Sequence, residues 1–234
     1  MESLERELER VRDVDVATVA DAIESIGFEC TRCGACCKGH GDDEHTATVF
    51  PDEVRDVADA AGDTGADDDP ADSPAEAYDW RDVARPMPFG LDGDGEDADG
   101  ETFEWALATD DCGDCTFYEE EDGQGACTVH ADRPLICRTY PFSLAVGATS
   151  EPMGEAVDRE GLVRAHECEG LGRDISREDA EDMAATLIER AVRELEEAIA
   201  VRDAYHPADP DDGEVVVHDS EGAKRPDGTP YGRG

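Results

Sequence analysis

Four of the nine cysteines of this 234-residue chain fall within eight positions, Cys30, Cys33, Cys36 and Cys37 in CTRCGACC. No other feature restricts its folding so tightly. The other five lie far away, at Cys112, Cys115, Cys127, Cys137 and Cys168. Cys-x2-Cys-x2-Cys is the spacing with which loops of iron–sulfur proteins wrap three thiolates around a cluster, and Cys-x2-Cys is half of a four-thiolate zinc site. Gly34 lets such a loop turn tightly. One triplet leaves a site a ligand short, so the chain must fold back to bring a distant thiol to it. Neighbouring residues of an extended backbone point to opposite sides. Cys36 and Cys37 therefore face different sites or different metals of one cluster. Eight thiolates fill two four-thiolate sites and leave one over, or they leave an incomplete site open for chemistry.

The competing readings of these cysteines explain less. A cytosolic compartment keeps thiols reduced, and an odd count does not make a closed disulfide framework. A thioredoxin-like redox pair needs a βαβ context that this sequence lacks. Inert core cysteines are not expected in Cys-x2-Cys pairs set among charged residues and glycines. Cations also gather there: Arg32 and Lys38 flank the first group, Arg133 and Arg138 flank Cys137. They are suited to offset the roughly −2 charge of a four-thiolate centre, so Arg133 and Arg138 are read as residues that support the bound group. Histidines are the weaker ligand candidates, with His40, His45, His130 and His166 near cysteines in the sequence.

The charge balance bounds the rest. Sixty-two acids against 20 basic residues give a formal net charge of −42, and only Lys38 and Lys224 are lysines. A body so charged repels itself, and molar salt shortens the Debye length to about 3 Å. The composition is therefore read as halophilic. It excludes nucleic acid as a partner, which requires a basic footprint. The absence of an apolar run of about 18 residues and of a signal-peptide core at the charged N-terminus predicts a cytoplasmic protein without a membrane partner.

Along the chain, N-terminal helices are expected over 1–28, with Leu4, Leu8 and Val11 on one stripe. Asp15 caps a second helix that carries Val16, Val19, Ala20, Ile23 and Ile26, and Gly27 ends it. A cysteine-cluster domain follows over 29–172, interrupted by acidic inserts at 62–76 and 92–100. The second insert does not fit an EF-hand, because Phe103 stands where the closing glutamate belongs. Short strands are expected at 46–50 and 102–108 and as a hairpin across 115–130. Pro134 starts a short turn that carries Cys137. Ser176 and Asp179 cap a long helix to about Tyr205, which makes 173–206 a C-terminal helix packed on the domain, and 207–234 reads as a flexible tail. The fold class is α+β, a small metal-centred domain with short strands.

The motifs CTRCGACC, CGDC, CTVHADRPLICRTYPF and CEGLG resemble the YkgJ-type cysteine-cluster family, described as zinc- or iron-chelating. Cys30, Cys33, Gly34, Cys36 and Cys37 match its first part. Cys127, Arg133, Pro134, Cys137, Arg138, Tyr140 and Pro141 match its second, and Cys168 opens a closing C-x-G-x-G. The resemblance runs from about residue 28 to 172. It departs at His130, which stands at a tyrosine position, and at the acidic inserts. It implies bound zinc or an iron–sulfur cluster, with the nine cysteines as the candidate ligands. Cys30, Cys33, Cys36 and Cys137 are expected to share one centre. A flagellin lysine methylase carries a similar cysteine module, so the alternative expectation is an iron–sulfur enzyme that modifies protein lysines. No glycine-rich nucleotide loop accompanies the cysteines.

Overall fold

The computed structural model describes residues 3–39, 44–64, 78–93, 98–147, 149–152, 155–158 and 160–232. The helices are α1 (Leu4–Arg12), α2 (Val16–Ile26), α3 (Pro51–Thr64), α4 (Trp80–Val83), α5 (Leu135–Thr139) and α6 (Arg177–Ala204). The strands are β1 (Thr48–Val49), β2 (Ala84–Pro86), β3 (Leu91–Asp92), β4 (Asp99–Thr102), β5 (Trp105–Leu107) and β6 (Tyr118–Glu121). They continue with β7 (Gln124–Cys127), β8 (Phe142–Leu144), β9 (Ala156–Asp158), β10 (Val163–His166), β11 (Val215–Asp219) and β12 (Gly222–Lys224). The mixture of helices and small sheets is α+β. No helix among the described residues is long and apolar enough to cross a membrane.

The chain divides into two compact units that interleave in sequence. The first contains Met1–Cys36, Glu120–Gly125 and Leu135–Ile199; the second contains Cys37–Glu119, Ala126–Pro134 and Ala200–Gly234. The division falls between the adjacent cysteines Cys36 and Cys37.

The first unit is built on helix caps that its sequence announces. Asp15 accepts the Thr18 amide at 3.0 Å and starts α2. Gly27, at φ 77, ends it in a conformation that only glycine adopts freely. Ser176 Oγ accepts the Asp179 amide at 3.1 Å at the head of α6. The apolar stripes of these helices meet in one core: Leu8 and Val11 from α1, Val19 and Ile23 from α2, and Leu187 and Leu195 from α6. Phe142 of β8 and Val163 of β10 join them. Each such side chain contributes about 1.5–3 kcal/mol on burial. Val16 was expected on the α2 stripe but stands at its rim, 37% exposed. β8, β10 and β9 form an antiparallel sheet with β10 central.

One charged residue lies inside this core. Arg190 of α6 is buried and pairs with Glu194 at 2.9 Å. It also donates to Thr139 Oγ1 at 3.1 Å, to the Phe142 carbonyl at 3.4 Å and to the Ser150 carbonyl. These bonds fasten the end of α5 and the start of β8 to α6.

In the second unit β5 is the centre of an antiparallel sheet ordered β1-β5-β2, and α3 contributes Val54, Val57 and Ala61 to the buried set. A second sheet runs β12-β11-β4-β3, with β11 parallel to β4 through Val217 and Thr102. Trp105 Nε1 donates to Asp219 Oδ2 at 2.9 Å. The same carboxylate pairs with the buried Lys224 at 2.7 Å, whose ammonium lies 4.9 Å from the Trp80 ring.

The second sheet corrects two expectations. Where a flexible tail was expected over 207–234, the described residues to 232 carry β11 and β12, and Val216 and Val217 are fully buried. The short Val215–Val217 run outweighs the Gly, Pro and Asp around it because β4 offers it a parallel partner. The insert at 92–100 likewise gives its ends to β3 and β4, and residues 94–97 lie outside the described residues. The insert at 62–76 begins inside α3, which runs to Thr64, and its residues from 65 onward lie outside the described residues.

Candidate metal centre

All nine cysteines are thiols, and none forms a disulfide. The two units divide them. Cys30, Cys33, Cys36, Cys137 and Cys168 belong to the first, and Cys37, Cys112, Cys115 and Cys127 to the second.

In the first unit the chain leaves α2 through a short antiparallel pairing with the segment after Cys168. Phe28 bridges Leu171, the Glu29 amide donates to the Gly170 carbonyl at 3.0 Å, and the Gly172 amide donates to the Gly27 carbonyl at 3.0 Å. This approach is close: a methyl at Gly170 would run into the Glu29 carbonyl oxygen. Gly170 of CEGLG therefore has a physical role, which is to let Cys168 approach the base of the Cys30 loop, whereas Gly172 supplies a left-handed turn at φ 75. Two residues in left-handed conformations, Arg32 at φ 57 and Gly34 at φ 76, then turn the loop around its thiols.

The electrostatics of Cys168 identify its neighbours. Burial pushes its thiol above the ordinary range, the Gly170 N–H at 3.4 Å opposes this, and Cys33, Cys36 and Cys30 push it further up as like charges. Tyr140, one helical turn beyond Cys137, borders the same group. Burial raises its hydroxyl, and Cys168, Cys36, Cys33 and Glu167 add to that. Its hydroxyl donates to the Glu167 carbonyl, one residue before Cys168.

In the second unit the Cys115 amide donates to the Cys37 carbonyl at 2.8 Å. Asp114 Oδ1 accepts the Gly39 amide at 2.9 Å, a second link between the 37–39 and 112–115 segments. The Cys112–Cys115 turn is itself organised by Asp110, whose Oδ1 accepts the amides of Cys112 at 2.8 Å and Asp114 at 3.0 Å. The Gly113 amide donates back to the Asp110 carbonyl at 2.9 Å. Beyond Cys115 the Tyr118 amide donates to the Cys115 carbonyl at 2.9 Å and starts the β6–β7 hairpin. The turn of that hairpin, whose residues Glu120–Gly125 belong to the first unit, puts Asp122 and Gly123 at positive φ, as a two-residue hairpin of the primed type requires, and β7 ends on Cys127.

The cations and histidines are placed differently from the thiols. Arg133 Nε donates to the His130 carbonyl at 3.0 Å and braces its own turn, and Arg138 is exposed on α5. Lys38 Nζ lies 5.1 Å from the Tyr118 ring. His40 lies outside the described residues. His45 is buried, with its amide on the Gly113 carbonyl at 2.8 Å. His166 is a core residue whose Nε2 lies 3.0 Å from Ser143 Oγ, and His130 is exposed. The sequence reading missed Asp110 and Asp114, because nothing marks them out in a chain so rich in acids. It also missed Tyr140 as a neighbour of the thiols, although the motif contains it.

The donor set suits a soft or borderline metal, since thiolates select zinc and iron over hard cations. Among the described residues no three Cys, His, Asp or Glu side chains stand close enough to clasp one ion. A family model named CxxCxxCC and described as "Putative zinc- or iron-chelating domain" matches residues 29–169, more than half of the chain. No curated protein and no solved structure matches it.

Proposed function

The chain belongs to the CxxCxxCC family, and from that membership we propose that it is a metal-binding protein with two thiolate sets, one in each unit. The first set is Cys30, Cys33, Cys36 and Cys168. The second is Cys37, Cys112, Cys115 and Cys127, and Cys137 is the ninth thiol, outside both. The observation that carries this reading is the division of the cysteines: the adjacent residues Cys36 and Cys37 fall in different units, and each unit then holds at least four thiols. The coupling of Cys168 to Cys30, Cys33 and Cys36 supports the first set. The bond between the Cys115 amide and the Cys37 carbonyl supports the second.

The chain's own residues prepare these sets in distinct ways. In the first, the Gly170 N–H already points at the Cys168 sulfur, a donor that favours the thiolate a metal requires. In the second, Cys115 is buried and its backbone amide and carbonyl are bonded to Cys37 and Tyr118, so that ligand is held before binding. Bound there, zinc supplies cross-linking of the loops, and an iron–sulfur cluster supplies a one-electron centre.

The test is a pair of serine variants purified anaerobically with wild type, with zinc, iron and sulfide measured per chain. Cys33→Ser and Cys115→Ser are each expected to lose one set and keep the other, and the double variant to lose both. Loss of all metal from either single variant would indicate one shared centre and refute the division.

A further inference from the structure

The strongest unexplained feature of the second set is the company it keeps. Asp110, Asp111 and Asp114 crowd the turn that carries Cys112 and Cys115. A four-thiolate centre carries a net charge of about −2, so by charge alone these acids are misplaced. Asp110 resolves the contradiction by geometry. Its Oδ1 accepts two backbone amides, those of Cys112 and Asp114, while its own backbone bonds reach Asp114 and Gly113. The Asp110 amide donates to the Asp114 carbonyl at 2.8 Å, and its carbonyl accepts the Gly113 amide at 2.9 Å. One residue thus closes the turn from both its side chain and its main chain.

We propose that Asp110 is the positioning residue of the second thiolate set, and that it acts through the acceptor oxygen on two amides and not through its charge. The inference rests on the reading that Cys37, Cys112, Cys115 and Cys127 hold a metal. An Asx-type side-chain bond to following amides presets a turn that the backbone would otherwise reach only in part of its conformers. Here the preset turn fixes the separation of Cys112 from Cys115. Residues that orient metal ligands in this way commonly change metal affinity by about 10–100-fold when they are removed.

The charge and the acceptor separate cleanly in two variants. Asp110→Asn keeps a carbonyl oxygen in the Oδ1 position and removes the charge, and Asp110→Ala removes both. The full chain is loaded with zinc alone at high salt, and zinc release to excess chelator is followed for wild type, D110A, D110N and C112S. C112S is expected to hold one zinc fewer than wild type, which establishes the second set. D110A is expected to release that zinc about 10–100-fold faster while it keeps the first set's zinc, and D110N to release it no faster than wild type. In the metal-free proteins, hydrogen exchange at the Cys112 and Asp114 amides is expected to rise in D110A and not in D110N.

Release from D110A at the wild-type rate overturns the proposal. So does fast release from D110N, which decides the matter even if D110A does not fold. If C112S and wild type hold the same zinc, the second set itself fails and the proposal with it. If C112S loses a zinc and D110A does not loosen it, the set stands and only the role of Asp110 falls.

Discussion

The backbone amide of Cys115 donates to the carbonyl of Cys37 at 2.8 Å, which joins two cysteines that are 78 positions apart in the chain. A comparable pairing in the other unit, Glu29 to Gly170 at 3.0 Å, brings Cys168 to the loop that begins at Cys30. Ordinary main-chain hydrogen bonds thus position both thiol groups. Long-range approach of this kind is costly in loop-closure entropy, which grows only slowly with loop length, and the metal proposed for each set would offset it.

The assignment of Cys168 over Cys137 makes a direct prediction. Cys168→Ser is expected to lose the metal of the first set, and Cys137→Ser to retain it. Metal analysis of the two purified variants checks this. Structural zinc binding is worth about 10–16 kcal/mol, so the Cys168 variant is also expected to melt far below wild type. Full metal in Cys168→Ser with loss in Cys137→Ser would exchange the two roles.

Gly170 offers a test that leaves every sulfur in place. A methyl there meets the Glu29 carbonyl oxygen, so Gly170→Ala is expected to break the pairing of 27–29 with 170–172. Metal of the first set should fall while that of the second is unchanged. Gly123, where an added methyl would meet nothing within 4 Å, is the comparison. Gly123→Ala strains a positive φ but is expected to leave both sets loaded.

The buried Arg190–Glu194 pair predicts a stability asymmetry. Removing one partner of a buried pair strands the other and costs about 3–5 kcal/mol, whereas replacing both with apolar residues of similar volume is often near neutral. Arg190→Ala is expected to destabilise the first unit by about that amount in denaturant unfolding. Arg190→Met with Glu194→Leu should recover most of it. A single variant as stable as wild type would mean that Thr139 and the Phe142 and Ser150 carbonyls do not depend on this guanidinium.

The second unit carries an acid sensitivity at His218. This residue is buried, stacked on Phe103 and edge-on to Tyr205, and its Nε2 lies 3.6 Å from Glu101. Burial holds its pKa below the ordinary 6.5, although Glu101 and Asp219 oppose the shift. Burial alone would raise Glu101, but bonds from Ala208, Tyr205 and Asp209 and the charge of His218 together hold it below its ordinary 4.5. Both groups therefore take up protons more readily in the unfolded chain. The stability due to His218 is present above about pH 6.5 and is lost as pH falls below it, and that due to Glu101 is lost below about 4.5. Hydrogen exchange at residues 215–219 is expected to accelerate between pH 7 and 5.5 beyond its intrinsic pH dependence, and less so in His218→Gln. Equal acceleration in the two proteins would remove His218 from the account.

What the sequence made legible was local. Asp15, Gly27 and Ser176 marked helix ends because caps act on the nearest turn, and the segment 115–130 marked a hairpin because a glycine-containing turn between two short strands leaves few alternatives. The family motif, with Cys30 to Cys37 and Cys127 to Cys137, was legible for the same reason. Long-range complementarity was not. Val216 and Val217 sit among prolines and acids and become a strand only because β4, over a hundred residues earlier, pairs with them. Arg190 reads as a surface cation on a helix until Thr139 and Phe142 close over it. Cys36 and Cys37 were expected to face opposite ways on an extended backbone, but Ala35–Cys37 is a 3-10 turn, and the thiols grouped with each depend on the course of the whole chain.

The central claim is that sulfur alone, in two four-thiolate sets, holds metal in this protein. X-ray absorption at the zinc and iron edges of the anaerobically purified full chain tests it most directly. The account predicts a first shell of sulfur, at about 2.3 Å for zinc, in wild type and in each single-set serine variant. A first shell dominated by nitrogen or oxygen, or a folded chain that contains neither zinc nor iron, would contradict it.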